Sequence, residues 1–345
     1  MTYLGFCLAG ITPSCMRGSS ARSSRARGEI ISHTAPLRTQ QSYRHEAFLW
    51  REPADFVAGL APFVIEGLDA GEPVMVATIR EHARWLTEAL GSRANQVTFV
   101  DMAELGRNPA RIIPAWQRFL DLHAGENRPL RGIGEPIWAG RRDTEVLECQ
   151  VHEALLNVAV HPHTPFWLVC PYDTGRLDAA VIEEAYRSHP VIVEGSAYRG
   201  SGTYGGSAHV DTMFTAELSE LDGEPAEIPF FTGRLKPVFA FVALHTYRLG
   251  LPVDQATDLA AAVTRLASSS ARRGASTGKV RIWDQSHAVI CEVVDDAVIE
   301  DRLAGRRKPD PGFYDDALWF ANQVCDLVQL RSGPSGTTVR IHTWR

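Results

Sequence analysis

Two runs of this sequence hold side chains whose types and spacing could do chemistry. The first is Gly132-Ile133-Gly134-Glu135-Pro136-Ile137-Trp138-Ala139-Gly140-Arg141, followed by Glu145, Glu148 and His152. Glu145, Glu148 and His152 stand at i, i+3 and i+7, so a helix would place them on one face, with Glu135 ending the apolar stretch just before it. Carboxylates and an imidazole facing a cleft can bind a cation or change protonation with pH. The competing reading is a polar face bonded to itself or to water. The second run, Arg265, Ser269, Arg272 and Arg273, also falls near one helical face. Such a cationic strip suits an anion or an acidic protein surface; a solvated basic face is the alternative.

The elements that would position the first group start at His45. Apolar runs at 46–50, 74–79, 97–101, 130–135, 166–170 and 191–194 read as strands buried on both faces, and helices fit 54–70, 80–90, 109–123, 144–160 and 178–187 between them. This alternation gives right-handed crossovers and a doubly wound parallel sheet, whose ligands bind beyond the carboxyl ends of the strands. Arg51, Arg80, Asp101, Glu135 with Trp138, Cys170-Pro171-Tyr172-Asp173 and Glu194-Gly195 are expected at that edge. No GxxxxGK(S/T) follows the first strand; Arg51-Glu52-Pro53-Ala54-Asp55 stands there instead, which removes a phosphate-cradling loop. The candidate ligand-binding residues are Asp101, Glu135, Trp138, Arg141, Glu148, His152 and Tyr172, with Trp138 and Tyr172 as walls of an apolar pocket or as core. His45, His161 and His163 look isolated, as surface or strand-end histidines, and His189-Pro190 looks like a turn.

The second group belongs to a C-terminal module. Leu259, Ala260, Val263, Leu266, Ala267 and Ser270 recur at helical spacing ahead of Gly274, strands fit 279–284, 288–294 and 337–343, and a second helix fits 313–327. The expectation is a small α/β sandwich, helices on one side of a mixed, mostly antiparallel sheet. Between the modules, 201–233 opens glycine-rich and then packs five acids into 217–227. It reads as a linker whose acidic half can cover the strip at Arg265, Arg272 and Arg273.

Both modules resemble known families. The β/α order and the run from Gly132 to Asn157 make the stretch from about His45 to Gly200 resemble the MEDS (methanogen/methylotroph sensory) domain, a relative of the RecA/KaiC fold without the phosphate loop. That resemblance implies sensing of a small-molecule signal. Val263-Thr264-Arg265-Leu266-Ala267-Ser268-Ser269-Ser270, Glu292-Val293-Val294-Asp295, Leu318-Trp319-Phe320-Ala321-Asn322 and Gly336-Thr337-Thr338 resemble the GHKL-type ATPase domain of RsbW-like anti-sigma serine kinases. The fusion resembles the RsbA-type anti-sigma regulatory proteins of actinobacteria. In the kinase family a helix carries a Glu as general base and, four residues on, an Asn that holds Mg²⁺; here those positions are Arg265 and Ser269. The adenine-binding Asp matches Asp295, the glycine two residues on is Ala297, and the lid glycines read Asp315-Asp316-Ala317. Gly336-Thr337-Thr338 is intact. The resemblance thus assigns Arg265, Ser269, Asp295, Gly336, Thr337 and Thr338 to the place of ATP and Mg²⁺. Binding is expected to be weak, because a guanidinium accepts no proton and added carboxylates repel triphosphate.

With 345 residues the chain accommodates two domains, taken as 43–200 and 234–345, with 1–42 as a disordered extension. A formal net charge of −6 argues against a nucleic-acid binder. Six scattered cysteines without a CxxC pair read as reduced thiols of a cytoplasmic protein, and no apolar run has the length of a membrane span. The expected function is that of a cytoplasmic anti-sigma factor: a sensory domain binds a small ligand, and a degenerate GHKL domain sequesters a sigma factor until a STAS-type antagonist competes for it. The alternatives are an active serine kinase that phosphorylates this antagonist, and a sensor histidine kinase. For the latter only His245 qualifies, and it lacks an extended heptad pattern. No Ser/His/Asp order, nucleophile elbow or zinc spacing supports an enzyme in the N-terminal module.

Overall fold

The structure is a computed structural model that describes residues 30–31, 42–126, 128–231, 235–309 and 315–345. The first unit runs β1 (Ile30–Ile31), β2 (Arg44–Trp50), α1 (Pro53–Asp69), β3 (Val74–Thr78), α2 (Arg80–Leu90), β4 (Thr98–Asp101), α3 (Met102–Leu105), α4 (Ile112–Leu122), β5 (Leu130–Gly134), α5 (Asp143–Ala159), β6 (Phe166–Asp173), α6 (Ala179–Ser188), β7 (Val191–Glu194), β8 (Ala197–Gly200) and α7 (Gly206–Thr215). The second runs β9 (Ala226–Phe230), α8 (Lys236–Arg248), α9 (Val253–Arg272), β10 (Gly278–Gln285), β11 (Ala288–Asp295), α10 (Ala317–Val324), β12 (Leu327–Gly333) and β13 (Gly336–Trp344). Apart from 30–31 and Ser42, the expected extension 1–42 lies outside the described residues, as do Cys7 and Cys15.

The first sheet has the order β1-β8-β7-β2-β6-β5-β3-β4. All pairings among β2 to β7 are parallel, and the β7–β8–β1 edge turns antiparallel. Continuous apolar strands demand cover on both faces, and both are covered. Trp116, Phe119, Leu155 and Leu156 pack one side, while Phe56, Leu60, Val64 and Leu86 pack the other. Each such side chain contributes about 1.5–3 kcal/mol on burial. Gly132 is required by this packing: a Cβ there would meet Phe166, Leu168 and Trp116 at 2.8 to 2.9 Å.

The second sheet, β12-β13-β11-β10-β9, is antiparallel in every pairing, not mixed. Helices α8, α9 and α10 cover one face through Val238, Leu259, Val263 and Ala321 against Val280, Val293 and Ile341. The helix expected over 313–327 is shorter. It ends at Val324, Cys325 is extended, and Leu327–Gly333 pairs with β13. An apolar run of that length satisfies either period, and the open edge of β13 decides for strand.

The stretch expected to be a linker is folded. Val210 and Phe214 bury one side of α7 against the first unit's core and its neighbourhood, and β9 adds an edge strand to β10, where Pro229 is tolerated. Its acid Glu227 pairs with Lys279 at 3.2 Å and Arg281 at 2.8 Å on β10, not with the strip on α9. Cys149, Cys170, Cys291 and Cys325 are buried free thiols, as expected. Among the described residues no helix is long and apolar enough to cross a membrane.

Candidate functional site

At the carboxyl edge of the parallel sheet, Glu135 follows β5 and is buried, not open to a cleft. Both its oxygens face His82 Nδ1 on α2 at 2.8 Å, and Thr78 Oγ1 at the end of β3 donates to it. His82 stacks on Trp85 with ring centroids 4.4 Å apart and meets Trp50 and Phe56 at 5.3 and 5.0 Å. The aromatic surround is therefore filled by a side chain of this protein. Asp101 caps α3 through Ala103 N–H and holds the exposed Arg80. Beyond β2, β6 and β7 a cavity of about 590 Å³ is lined by Trp50, Arg51, Asp55, Thr174, Glu194 and Gly195. Asp55 accepts the Glu52 and Arg51 amides at 2.9 and 3.3 Å, so the first helix start is occupied by its own carboxylate where a phosphate loop would bind an anion.

The face of α5 that looked like a cation or proton site is interior. Glu148 is 1 % exposed and is held by Arg306 at 2.9 Å and Arg331 at 2.8 Å, both from the second unit, with Gln329 beside them. Glu145 pairs with Arg142 and Arg141. His152 is buried with no partner for Nδ1 among the described residues, and burial pushes its pKa down to about 3, so it stays neutral. Arg141 donates to the carbonyls of Pro136 and Gly106, with its guanidinium 4.4 Å over Trp138. Tyr172 meets His189 edge-on in the core. Neither Trp138 nor Tyr172 lines the 590 Å³ cavity.

On the second unit, the strip on α9 is neutralised in cis. Arg265 pairs with Asp316 at 3.1 Å and lies over Phe320, Ser269 Oγ donates to Asp315 at 2.6 Å, and Arg272 reaches Asp315 at 3.2 Å. Arg273 binds Asp295 at 3.1 Å, and the same carboxylate accepts the Ala297 amide. Burial raises the pKa of Asp295 against the lowering pull of its bonding partners. A cavity of about 500 Å³ adjoins, lined by Ser269, Arg273, Asp301, Arg307, Lys308 and Asp315. Thr337 Oγ1 donates to Ala297 O and bonds Ser332, and Thr338 sits within β13 opposite Val294. Of the residues assigned to ATP and Mg²⁺, Arg265, Ser269 and Asp295 are thus held by neighbouring side chains of this protein, Asp316, Asp315 and Arg273.

A cluster that sequence reasoning missed lies beneath β2. His45, taken as a strand-end histidine, and His189, taken as a turn residue, are 2 % and 0 % exposed, with ring centroids 4.1 Å apart. Their Nε2 atoms approach Glu153 Oε2 at 3.0 and 3.3 Å, and Cys170 Sγ lies 3.4 Å from His45 Nε2. Burial raises the Glu153 carboxyl, but the two histidine contacts carry it well below the ordinary carboxylate range. Burial lowers the His45 pKa, and burial with the Glu153 charge holds the Cys170 thiol protonated well above its usual range. A signal was available: His45 shares its strand parity with Ala47 and Leu49, which face the α4/α5 core.

Residues 44–190 match the model of the MEDS domain, described as MEthanogen/methylotroph, DcmR Sensory domain. The match runs from the start of β2 to the residue before β7, so this part of the chain is a MEDS domain and carries all four residues of the buried cluster. No curated protein matches the chain.

Proposed function

We propose that the chain is a transcription regulator in which the MEDS domain senses a small molecule and the C-terminal unit acts as an anti-sigma factor, binding a sigma factor without transferring phosphate. The observation behind the coupling is Glu148. It stands on α5 of the sensory unit, and two arginines of the C-terminal unit close on it in a buried site. A shift of α5 on ligand binding would move Arg306 and Arg331 with it, because parting them leaves uncompensated buried charge. Asn322, by its carbonyl and side chain, also receives Arg111 at 2.7 Å and Asn108 at 3.1 Å, which ties α10 to the same neighbour. The reading of the C-terminal unit rests on its sequence resemblance. It is favoured over kinase action by the cis pairs on Arg265, Ser269 and Asp295. Phe239, Leu244 and Tyr247 on α8 are exposed apolar groups that a protein partner would cover.

The test is capture of purified sigma factors and STAS-type antagonists by the full-length protein, with and without radiolabelled ATP. A nucleotide-independent complex with a sigma factor and no labelled antagonist is expected. Label on an antagonist serine would favour the kinase reading, and absence of any sigma complex would overturn the proposal.

A further inference from the structure

The proton inventory of the buried cluster does not close by itself. Asn157 donates through Nδ2 to Ser188 O at 2.8 Å, which turns its Oδ1 toward His45 Nδ1 at 3.2 Å. His189 Nδ1 faces the Ala185 carbonyl at 2.9 Å. Both Nδ1 atoms therefore carry the hydrogen, and a ring in that tautomer presents a lone pair at Nε2. Those lone pairs point at a carboxylate oxygen, which is also an acceptor, and the donor in contact with His45 Nε2 is the weak thiol of Cys170. Among the described residues Glu153 Oε1 has no hydrogen-bond partner although its side chain is 1 % exposed, and His189 Nε2, 0 % exposed, has only the 3.3 Å approach to Glu153 Oε2. Acceptors converging on one buried point need a cation or an added proton between them.

We propose that His45 Nε2, His189 Nε2, Glu153 and Cys170 Sγ together bind one transition-metal ion of the zinc class. The four ligand atoms lie within 4.8 Å of one another. A tetrahedral zinc ion with bonds of about 2.0–2.3 Å needs them roughly 3.3–3.7 Å apart, so small side-chain shifts complete the shell. Binding releases the Cys170 proton to solvent, and the ion's charge keeps the thiolate ionised. Two neutral imidazoles, one carboxylate and one thiolate then balance a divalent cation to zero net charge, which suits a buried site. Asn157 and the Ala185 carbonyl are the outer partners that orient the two rings. Since the site is closed to solvent, the ion is taken up as β2, α5, β6 and the segment before β7 assemble. This inference is independent of what the C-terminal unit binds.

The test starts with elemental analysis of the desalted full-length protein, in which stoichiometric zinc is expected. Cobalt loaded after chelation should give four-coordinate visible bands and a near-ultraviolet thiolate-to-cobalt band. Cys170→Ser should lose the latter and keep the former. Asn157→Ala, which removes no ligand, should weaken metal affinity by about 10–100-fold while the far-ultraviolet dichroism is unchanged. A protein that is isolated metal-free and, refolded from denaturant in micromolar zinc or cobalt, regains its fold without binding either would overturn the proposal. So would cobalt uptake that Cys170→Ser and Asn157→Ala leave unaltered. The cluster would then be a protonated histidine–carboxylate pair.

Discussion

Gly336 shows how one position can look like a nucleotide contact and also be required by the backbone. Its φ is +113°, a region that side chains rarely enter, and a Cβ would stand 2.1 Å from the Asp295 carbonyl oxygen. The resemblance assigns it to a nucleotide site, but the fold needs a glycine there with or without nucleotide. Gly336→Ala is expected to cost roughly 2–4 kcal/mol, read as a lower urea midpoint with an unchanged slope. His342 supplies a pH prediction. Burial, with Arg340 and His287 adding, lowers its pKa from 6.5 to about 3. The unfolded chain therefore binds the extra proton between those values, so the stabilisation is complete above pH 6.5 and lost as pH falls toward 3. His342→Gln should flatten stability against pH in that window by up to about 1.4 kcal/mol per pH unit. Urea melts at stepped pH would show it, and an unaltered slope would mean another group titrates. At this scale a sequence carries residue types and spacing but not the surroundings that distant residues supply. The spacing of Glu145, Glu148 and His152 on one face was legible, whereas Arg306 and Arg331, far along the chain, decide that the face is interior.

Helix α5 joins the two halves of the reading, since Glu153 belongs to the histidine cluster and Glu148 to the contact between units. Glu148→Gln leaves two nearly buried guanidiniums without their counter-charge, at an expected cost of about 3–5 kcal/mol. Glu227→Gln, a half-exposed carboxylate whose partners Lys279 and Arg281 are also open to solvent, should cost no more than about 1 kcal/mol. Comparing the two by thermal unfolding and limited proteolysis checks this; equal effects would mean that the Glu148 pairs do not hold the units together. Among the elements, β2 to β7 and their helices were legible because strands buried on both faces leave long apolar runs between helical periods. Elements that depend on a distant partner were not. Strand β12 needs the open edge of β13, β9 needs β10, and α7 is fixed where Val210 and Phe214 meet the other elements.

For the molecule as a whole, the proposed reading has the C-terminal unit act without nucleotide, and two causes for that can be told apart. On the resemblance alone one answer would be the substitutions themselves: Arg265 and Ser269 supply neither the base nor the metal ligand of the resembled family. The structure supports a stronger one, because Asp315, Asp316 and Arg273 occupy the positions around the substituted helix and Asp295. The answers separate experimentally. Arg265→Glu with Ser269→Asn restores the resembled family's side chains but sets a new carboxylate against Asp316 and strips Asp315 of its hydroxyl donor. Like charges at such distances repel, so the double variant should be less stable than the parent and should still fail to bind Mg-ATP. Adding Asp315→Gly, Asp316→Gly and Ala297→Gly, with Arg273→Ala to free Asp295, should bring nucleotide binding into the range of isothermal titration. Binding by the double variant alone would show that the cis pairs are incidental. Failure of the full set in a folded protein would mean that the unit has been rebuilt beyond these side chains as a surface for a protein partner.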